Sequence, residues 1–242
     1  MKIVVLLRSS PVSNTPAPQA SRLGCHEAAA LVQGIRLRDS FPGATLTALC
    51  VGEESEDSGL LDALALGADR AHRLWDPLLG KVDSLGVARA LAAATEHLGF
   101  DLVLGGARSP DESLGFVGPA LAESLSISHL ADADELRWAE GQTAVVAQRC
   151  AATRRFSHLL QIPCLITLQS TAEAAIQVSA PRRKDLVPGS LSLADVGLDE
   201  AVLRPRCRLS GELRPFSAPP YVTAWAEDSA AVVEHLRDLD LL

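Results

Sequence analysis

The chain of 242 residues has no apolar run that approaches the roughly 20 residues needed to cross a bilayer as a helix. It also lacks an excess of basic residues, because 22 lysines and arginines stand against 30 aspartates and glutamates, for a formal net charge of -8. A general binder of nucleic acid or of an anionic membrane needs a basic face, so this charge argues against both. The short apolar run that ends at Arg8 is too short and wrongly flanked for a signal peptide, and we expect none.

The residues that carry metal and nucleophile chemistry lack the spacings of such sites. Five cysteines are scattered without a C-x-x-C pair, and six histidines show neither H-x-x-x-H nor a cysteine at ligand spacing. G-x-S-x-G, G-x-G-x-x-G and G-x-x-x-x-G-K-[ST] are also absent. The cysteine usage is typical of a reducing cytoplasm. We therefore expect a cytoplasmic protein with no metal and no catalytic residue of its own.

Apolar strands alternate with amphipathic helices over the first half of the chain. This rhythm predicts an α/β fold: a Rossmann-like parallel sheet with helices on both faces, joined by right-handed crossovers. The predicted strands are 2–7, 45–51, 70–74 and 100–104, and the predicted helices are one that ends near Asp39, one at 60–66 and one at 84–98. Ligands of such sheets bind beyond the carboxyl ends of the strands, which directs attention to 8–14 and 105–119.

The second half of the chain has a different pattern. A hairpin is predicted around 139–142 and further strands at 156–160 and 163–168, and we expect these strands to extend the sheet in antiparallel fashion at one edge. Six of the fourteen prolines fall in 180–221, where periodicity is weak. The sequence therefore predicts an α/β nucleotide-binding-like domain over 1–179. It predicts an extended arm over 180–242, ending in a helix at 229–239, that packs on a partner subunit.

The glycine-rich segment 105–119 follows a buried strand and opens a helix at Gly118 and Pro119. The free N–H groups and positive dipole end of such a helix can hold a phosphate, and glycines let the backbone come close. An ordinary glycine-rich turn that holds nothing explains the pattern equally well. Asp111 and Glu112 face the same helix start, where they serve either the dipole or a ligand.

Seven short features carry a resemblance to a known family. They are MKIVV at 1–5, LALGADR at 64–70, DLVLG at 101–105, Asp111 seven residues before Gly118, Arg149 fourteen before Pro163, the pair Pro181 and Arg182, and ADVGLD at 194–199. Each is weak alone, but their order and spacing are specific. Over nearly its whole length the chain resembles the β subunit of heterodimeric electron-transferring flavoproteins, as a divergent member.

The resemblance implies an electron carrier rather than an enzyme. The larger α subunit would hold the redox FAD, and this chain would support it, dock a flavin-dependent dehydrogenase and serve a quinone-linked acceptor. The β subunit of the family also buries an AMP, or a second FAD in the electron-bifurcating branch. The expected cofactor-binding residues are Leu6, Arg8, Cys25, His26, Gly106, Asp111, Ser113, Gly115, Phe116, Val117 and Gly118, with Leu23, Gly24 and Glu56 beside them. The expected docking residues are Pro181, Arg182 and Leu186.

The chain departs from the family at three places. The family's Asn-Gln-Thr-Gly is replaced by the segment 115–118, which loses three polar contacts, and Leu6 replaces a small residue beside the adenine. The sequence therefore leaves three possibilities for the pocket: it holds AMP, it holds FAD, or it holds nothing. The alternatives are a bifurcating subunit with its own FAD and a nucleotide-free structural subunit of a larger dehydrogenase complex.

The third departure concerns charge. The family's acidic signature after Arg149 becomes neutral or basic, with Arg154 and Arg155 in place to meet an acidic partner, a flavin phosphate or only solvent. Since a positive charge stabilises a reduced, anionic flavin, we expect Arg154 to alter the potential of a flavin held against this edge.

Overall fold

A computed structural model describes residues 1–8, 23–109, 113–139, 141, 143–151, 154–170 and 187–205, without the side chain of Glu56. The chain divides into two compact units, Met1–Arg208 and Leu209–Leu242, and every described residue belongs to the first. The predicted helix at 229–239 lies outside the described residues. The predicted domain boundary between 179 and 180 stays a prediction.

Ten strands and five helices make up the described part. The strands are β1 Lys2–Leu7, β2 Thr45–Val51, β3 Arg70–Leu74, β4 Leu102–Gly106, β5 Ser128–Ala133, β6 Glu135–Trp138, β7 Ala144–Ala151, β8 Arg154–Gln161, β9 Cys164–Leu168 and β10 Gly189–Leu191. The helices are α1 Cys25–Asp39, α2 Ser58–Leu66, α3 Ser84–Leu98, α4 Val117–Leu125 and α5 Glu200–Leu203. Short 3-10 turns lie at Glu54–Glu56 and Leu79–Lys81.

Seven strands form one parallel sheet in the order β10-β3-β2-β1-β4-β9-β5. All of its strand pairings are parallel, and helices cover both faces, so the predicted α/β fold is confirmed. Ile3 and Val5 of β1 pack on the side of α1 and α2, whereas Val4 and Leu6 pack on the side of α3 and α4. Because successive side chains of a strand point to opposite faces, the continuous apolar run of β1 fills two core layers at once.

Local signals fix several element ends. The Asp83 carboxylate accepts a hydrogen bond of 2.9 Å from the Gly86 N–H and so caps α3, as the sequence predicts. Gly67 ends α2 with a φ of 115°, which a side chain would make costly. Strand β4 begins at Leu102, two residues later than predicted, and α4 begins at Val117, one residue earlier.

The prediction that the later strands extend the main sheet at an edge is wrong. Strands β6, β7 and β8 form an antiparallel sheet of their own, which lies against α1. The Trp138 indole N–H donates to the Leu37 carbonyl at 2.9 Å, and the Leu136 N–H donates to the Gln33 side-chain oxygen at 3.3 Å. Strand β9 instead lies inside the parallel sheet, between β4 and β5, and all five of its residues are buried.

Residues 187–205, which the prediction counts with the arm, belong to the first unit and pack against its parallel sheet and α3. Strand β10 pairs in parallel with β3, and Leu193 and Leu203 are buried in the core on the α3 side. The Arg89 guanidinium donates to the Val202 carbonyl at 2.8 Å and ties α5 to α3. The buried leucines, the added ladder and this hydrogen bond hold the stretch against its own domain.

Candidate functional site

The candidate site lies where β1 and β4 end side by side. From β1 the chain passes to β2 on one side of the sheet and, later, to β4 on the other, so the order of strands reverses between β1 and β4. Such a reversal opens a crevice at the carboxyl ends of the strands. Leu6 is paired with Gly105 across this junction, and Arg8 follows at an exposed position.

The end of β4 approaches the start of α1 closely. A Cβ atom on Gly106 would lie 3.0 Å from the Glu27 backbone N and 3.1 Å from the His26 Cβ. Helix α1 begins at the exposed Cys25 without a side-chain cap from Gly24. Glycine at 106 therefore lets the amino end of α1 sit directly against β4.

His26 connects α1 to the segment after β9. Its Nδ1 accepts a hydrogen bond of 3.0 Å from the Ser170 N–H. An acceptor nitrogen carries no proton, so the neutral ring holds its proton on Nε2. This contact joins residues that are 144 positions apart and fixes the rim of the crevice.

The glycine-rich loop and α4 form the other wall. Gly115 has a φ of 61°, and a Cβ there would lie 2.9 Å from the Ala107 carbonyl oxygen. A Cβ on Gly118 would lie 2.7 Å from the Thr167 Cγ2, so α4 packs tightly on β9. Ser113, with a φ of 53°, donates its N–H to the Ser109 carbonyl at 3.1 Å.

The first turn of α4 can attract an anion. Phe116 occupies its N-cap position without a side-chain hydrogen bond, and Val117 is the first helical residue. Early N–H groups of a helix have no carbonyl partner within it, and the helix dipole places partial positive charge there. This end of α4 therefore suits a phosphate or carboxylate, held by backbone rather than by side chains.

The surface beside the end of β1 is covered by an apolar side chain. Leu6 is 8% exposed and belongs to the apolar cluster that includes Leu121 and Ala122 of α4. Its Cδ1 lies 3.7 Å from the position of a Cβ on Gly105, which is ordinary van der Waals contact. The Leu6 side chain thus lies against the surface of Gly105.

Two residues that the sequence does not single out lie behind α4. Burial lowers the pKa of His129, against a raising effect from Asp132, and the buried Nε2 of this ring has no hydrogen-bond partner in the described part of the chain. Thr167 is 4% exposed, and its hydroxyl accepts from the Asp132 N–H at 3.4 Å. What places these two residues near the crevice is their position on β5 and β9, the strands nearest to α4, and no sequence motif marks either of them.

The structure brings most of the predicted cofactor residues to this crevice. Leu6, Cys25, His26, Gly106, Ser113, Gly115, Phe116, Val117 and Gly118 all lie at the ends of β1 and β4 or at the starts of α1 and α4. Asp111, Pro181, Arg182 and Leu186 lie outside the described residues, as does the Glu56 side chain. The binding and docking roles assigned to all of these residues stay predictions.

Comparison with known proteins decides the family. The model of the electron transfer flavoprotein domain matches residues 20–189, which is more than half of the chain. The chain belongs to the electron transfer flavoprotein domain family. The resemblance predicted from the sequence is therefore confirmed. Members of the family are flavoproteins that carry electrons.

The relatives are distant. Protein FixA of Bradyrhizobium diazoefficiens is 29% identical over 244 residues, covering 93% of this chain and 81% of the relative. An electron transfer flavoprotein subunit beta of Clostridium acetobutylicum is 32% identical over 127 residues, 48% of this chain and 49% of the relative. The corresponding subunit of Thermoanaerobacterium thermosaccharolyticum is 36% identical over 98 residues, 40% and 37% respectively. The chain thus spans about half or less of the two subunits named beta.

The described residues offer neither a metal site nor a membrane span. None of their histidines, cysteines and carboxylates gather in a group of three or more that could hold a metal ion. No helix in the same ranges is long and apolar enough to span a membrane.

Proposed function

We propose that this chain is the β subunit of a heterodimeric electron-transferring flavoprotein. It pairs with an α subunit that holds most of the FAD, supports that flavin, and docks a flavin-dependent dehydrogenase whose electrons pass toward a quinone-linked acceptor. The observation that carries the proposal is the family match over 170 consecutive residues, 20–189, on a fold with a crevice at the ends of β1 and β4. The identity of the docking residues, Pro181, Arg182 and Leu186, rests on the resemblance alone.

The chain's own contribution is positional. FAD supplies the redox chemistry when it is bound to the α subunit. The parallel sheet holds the starts of α1 and α4 in a fixed relation, because a Cβ at Gly106 or Gly118 would crowd the neighbouring atoms at 2.7–3.1 Å. No proton transfer or nucleophilic attack needs to be assigned to a residue of this chain.

The crevice itself favours a form without adenine nucleotide. The start of α4 suits an anion, but Leu6 takes the position of the base. This geometry supports a carrier subunit with an empty crevice over one with a second FAD, whose adenosine half would meet the same leucine. We therefore propose that the β-subunit crevice binds at most a small anion.

Co-expression with the α-subunit candidate tests these statements together. The heterodimer is purified by size exclusion, its flavin is quantified by absorbance, and it is then denatured so that released nucleotides can be identified. One FAD per heterodimer and no AMP is the expected result. Two flavins would establish a bifurcating subunit, recovered AMP would refute the argument from Leu6, and a complex without flavin would refute the carrier function.

A further inference from the structure

Strand β10 lies at one edge of the parallel sheet and is only three residues long. It pairs with His72–Leu74 of β3, and among the described strands none lies beyond it. The Leu191 carbonyl accepts one further hydrogen bond, of 3.1 Å, from the Trp75 N–H. Short edge elements open most easily in a folded protein, so the side-chain contacts of β10 decide how firmly it is attached.

The imidazole ring of His72 lies directly against the backbone of β10. A Cβ atom on Gly189 would lie 2.6 Å from the His72 Nδ1 and 2.9 Å from its Cε1, so a side chain there would require the ring or the strand to shift. The Nδ1 atom is buried and has no hydrogen-bond partner in the part of the chain that the structure describes. This site suits the neutral ring with its proton on Nε2, because a proton on Nδ1 would need both space and an acceptor.

The charges around His72 also oppose its protonation. Burial is the main cause that lowers its pKa, and positive charge on Arg70 and His97 lowers it further. Arg70 lies on the same strand and His97 lies in the last turn of α3, whereas the residues of β2 and β10, which flank β3, carry no charge. Asp195, in the turn after β10, accepts hydrogen bonds from Ser192 and lies in the field of His97. Among the described groups, none therefore acts as a counter-ion that would favour the charged form of His72.

From these observations we infer that His72 and Gly189 form a pH-sensitive clasp, in which the neutral ring holds β10 on the sheet and the protonated ring releases it. A proton on Nδ1 adds an atom on the side of the ring that faces Gly189. When β10 leaves, water reaches the ring, and the burial that opposes the charge is removed. Arg70 and His97 act on the ring in both states, so burial by β10 is what couples the charge to the opening.

The direction of the effect follows from this coupling. With β10 in place the pKa of His72 is lowered, whereas with β10 released it lies nearer the ordinary 6.5. The released form therefore takes up the proton at a higher pH than the attached form does. The attachment of β10 is complete above about pH 6.5 and weakens as the pH falls below it.

The clasp anchors one end of a longer stretch of chain. After β10, Leu193 and Leu203 are buried in the core and form separate anchors that do not involve His72. Before β10, the expected docking residue Leu186 stands three positions ahead of Gly189 in the sequence. The clasp thus decides whether the chain is attached to the sheet directly after the expected docking residues. The inference concerns this chain alone and does not depend on the proposed heterodimer.

Hydrogen–deuterium exchange of the full-length chain tests the clasp between about pH 5.5 and about pH 7.5. Exchange rates are converted to protection factors, which removes the intrinsic pH dependence of amide exchange. Peptides that contain β10 and Trp75 report the clasp, and a peptide from β1 reports global unfolding. The variant is His72→Gln, which is neutral at every pH. The control is His129→Gln, which removes another half-buried histidine with an unpartnered buried nitrogen, on the opposite edge strand β5.

We expect the protection of β10 in the native chain to fall about threefold or more from the upper to the lower pH, and that of β1 to change less. The His129→Gln control should keep the native response, and His72→Gln should lose it. An equal fall in the native chain and in His72→Gln would overturn the inference. Constant protection of β10 in the native chain would also overturn it, as would a fall that β1 shares in full.

A second pair of variants tests the contact itself. Gly189→Ala should lower the protection of β10 at the upper pH, because the added methyl group would lie 2.6 Å from the His72 Nδ1. In a His72→Ala background the ring is absent, so the same substitution should lower the protection less. Equal effects in the two backgrounds would show that the ring does not hold the strand, and the inference would fail. Circular dichroism checks that each variant retains the native fold.

Discussion

Replacing Leu6 by alanine should open the crevice to adenine nucleotide. The side chain is 8% exposed and packs in the cluster with Leu121, so its truncation removes buried apolar contacts. Buried leucine-to-alanine changes cost about 2–5 kcal/mol. Because Leu6 lies at the end of its strand, beside the crevice, we expect a cost of about 2–3 kcal/mol, toward the lower end of that range.

The space left by Leu6 lies beside Gly105, whose missing Cβ leaves a flat backbone surface for a ring. Bound AMP would then stabilise the variant by mass action. At a free concentration of about 100 times Kd this amounts to about 2.7 kcal/mol, which offsets the loss from truncation. In a chain of this size such an energy corresponds to about 5–10 °C in the thermal midpoint.

The assay compares thermal midpoints of nucleotide-stripped heterodimers with and without AMP, and calorimetric titration measures the affinity directly. Leu74→Ala is the matched control, since Leu74 is fully buried in the same core layer but lies on β3, two strands away from β1. We expect AMP to raise the midpoint of Leu6→Ala alone. An equal response in the native heterodimer would show that Leu6 does not block the base, and an equal response in the control would show that AMP binds elsewhere.

The remaining predictions concern packing, pH, thiol reactivity and charge. Gly118→Ala should lower the free energy of unfolding by about 1–3 kcal/mol in denaturant titrations, because the added Cβ would lie 2.7 Å from the Thr167 Cγ2. Adding Thr167→Ser removes that methyl group and should restore part of the loss. Burial lowers the pKa of His129 below the ordinary 6.5, so the unfolded chain takes up a proton at a higher pH than the folded chain does. The free energy of unfolding should therefore fall as the pH drops below about 6.5, and it should fall less steeply in His129→Gln. Parallel pH profiles of the two proteins would contradict this. Burial raises the pKa of Cys164 to about 11, so mass spectrometry should find this thiol unlabelled by iodoacetamide at pH near 8 until the chain unfolds. Arg154→Glu should lower the midpoint potential of the flavin in the heterodimer, and identical redox titrations would rule out an electrostatic role.

The sequence predicts the first half of the sheet nearly residue by residue. Strands β1, β2 and β3 have the predicted bounds because each is bounded by turn or charged residues and carries enough apolar side chains to be buried. The cap at Asp83 and the stop at Gly67 are local devices, readable from one residue and its immediate neighbours. Short-range chemistry therefore accounts for this part of the fold.

Strand β5 and the placement of β9 depend on distant pairing instead. The six residues Ser128–Ala133 include no β-branched or aromatic side chain, so nothing in their pattern predicts a strand. They are extended because they pair with β9, which follows them by about 30 residues in the chain. The hairpin signal correctly joins β6 to β7, but it cannot say which sheet the hairpin belongs to. A better signal was the composition of Cys164–Leu168, in which every residue but Thr167 is apolar, as is typical of a strand covered on both faces.

The candidate site also combines features that the local sequence predicts with features that depend on distant contacts. The glycine-rich loop and the start of α4 could be located from the sequence, whereas the bond between Ser170 and His26 could not, because nothing local relates residues 144 positions apart. The exact approach of Gly106 to α1 likewise depends on the assembled sheet.

The glycines that first suggest a phosphate site have a second explanation in the assembled structure. Gly115 is required by its φ of 61° and by the Ala107 carbonyl, and Gly118 is required by the Thr167 methyl. Both requirements exist without any ligand, so the glycines would be retained even in a chain that binds no nucleotide. Leu6, which is 8% exposed, likewise packs in the apolar cluster with Leu121, so its place is also explained by packing. Packing alone therefore accounts for both glycines, and their presence is no evidence for a bound nucleotide.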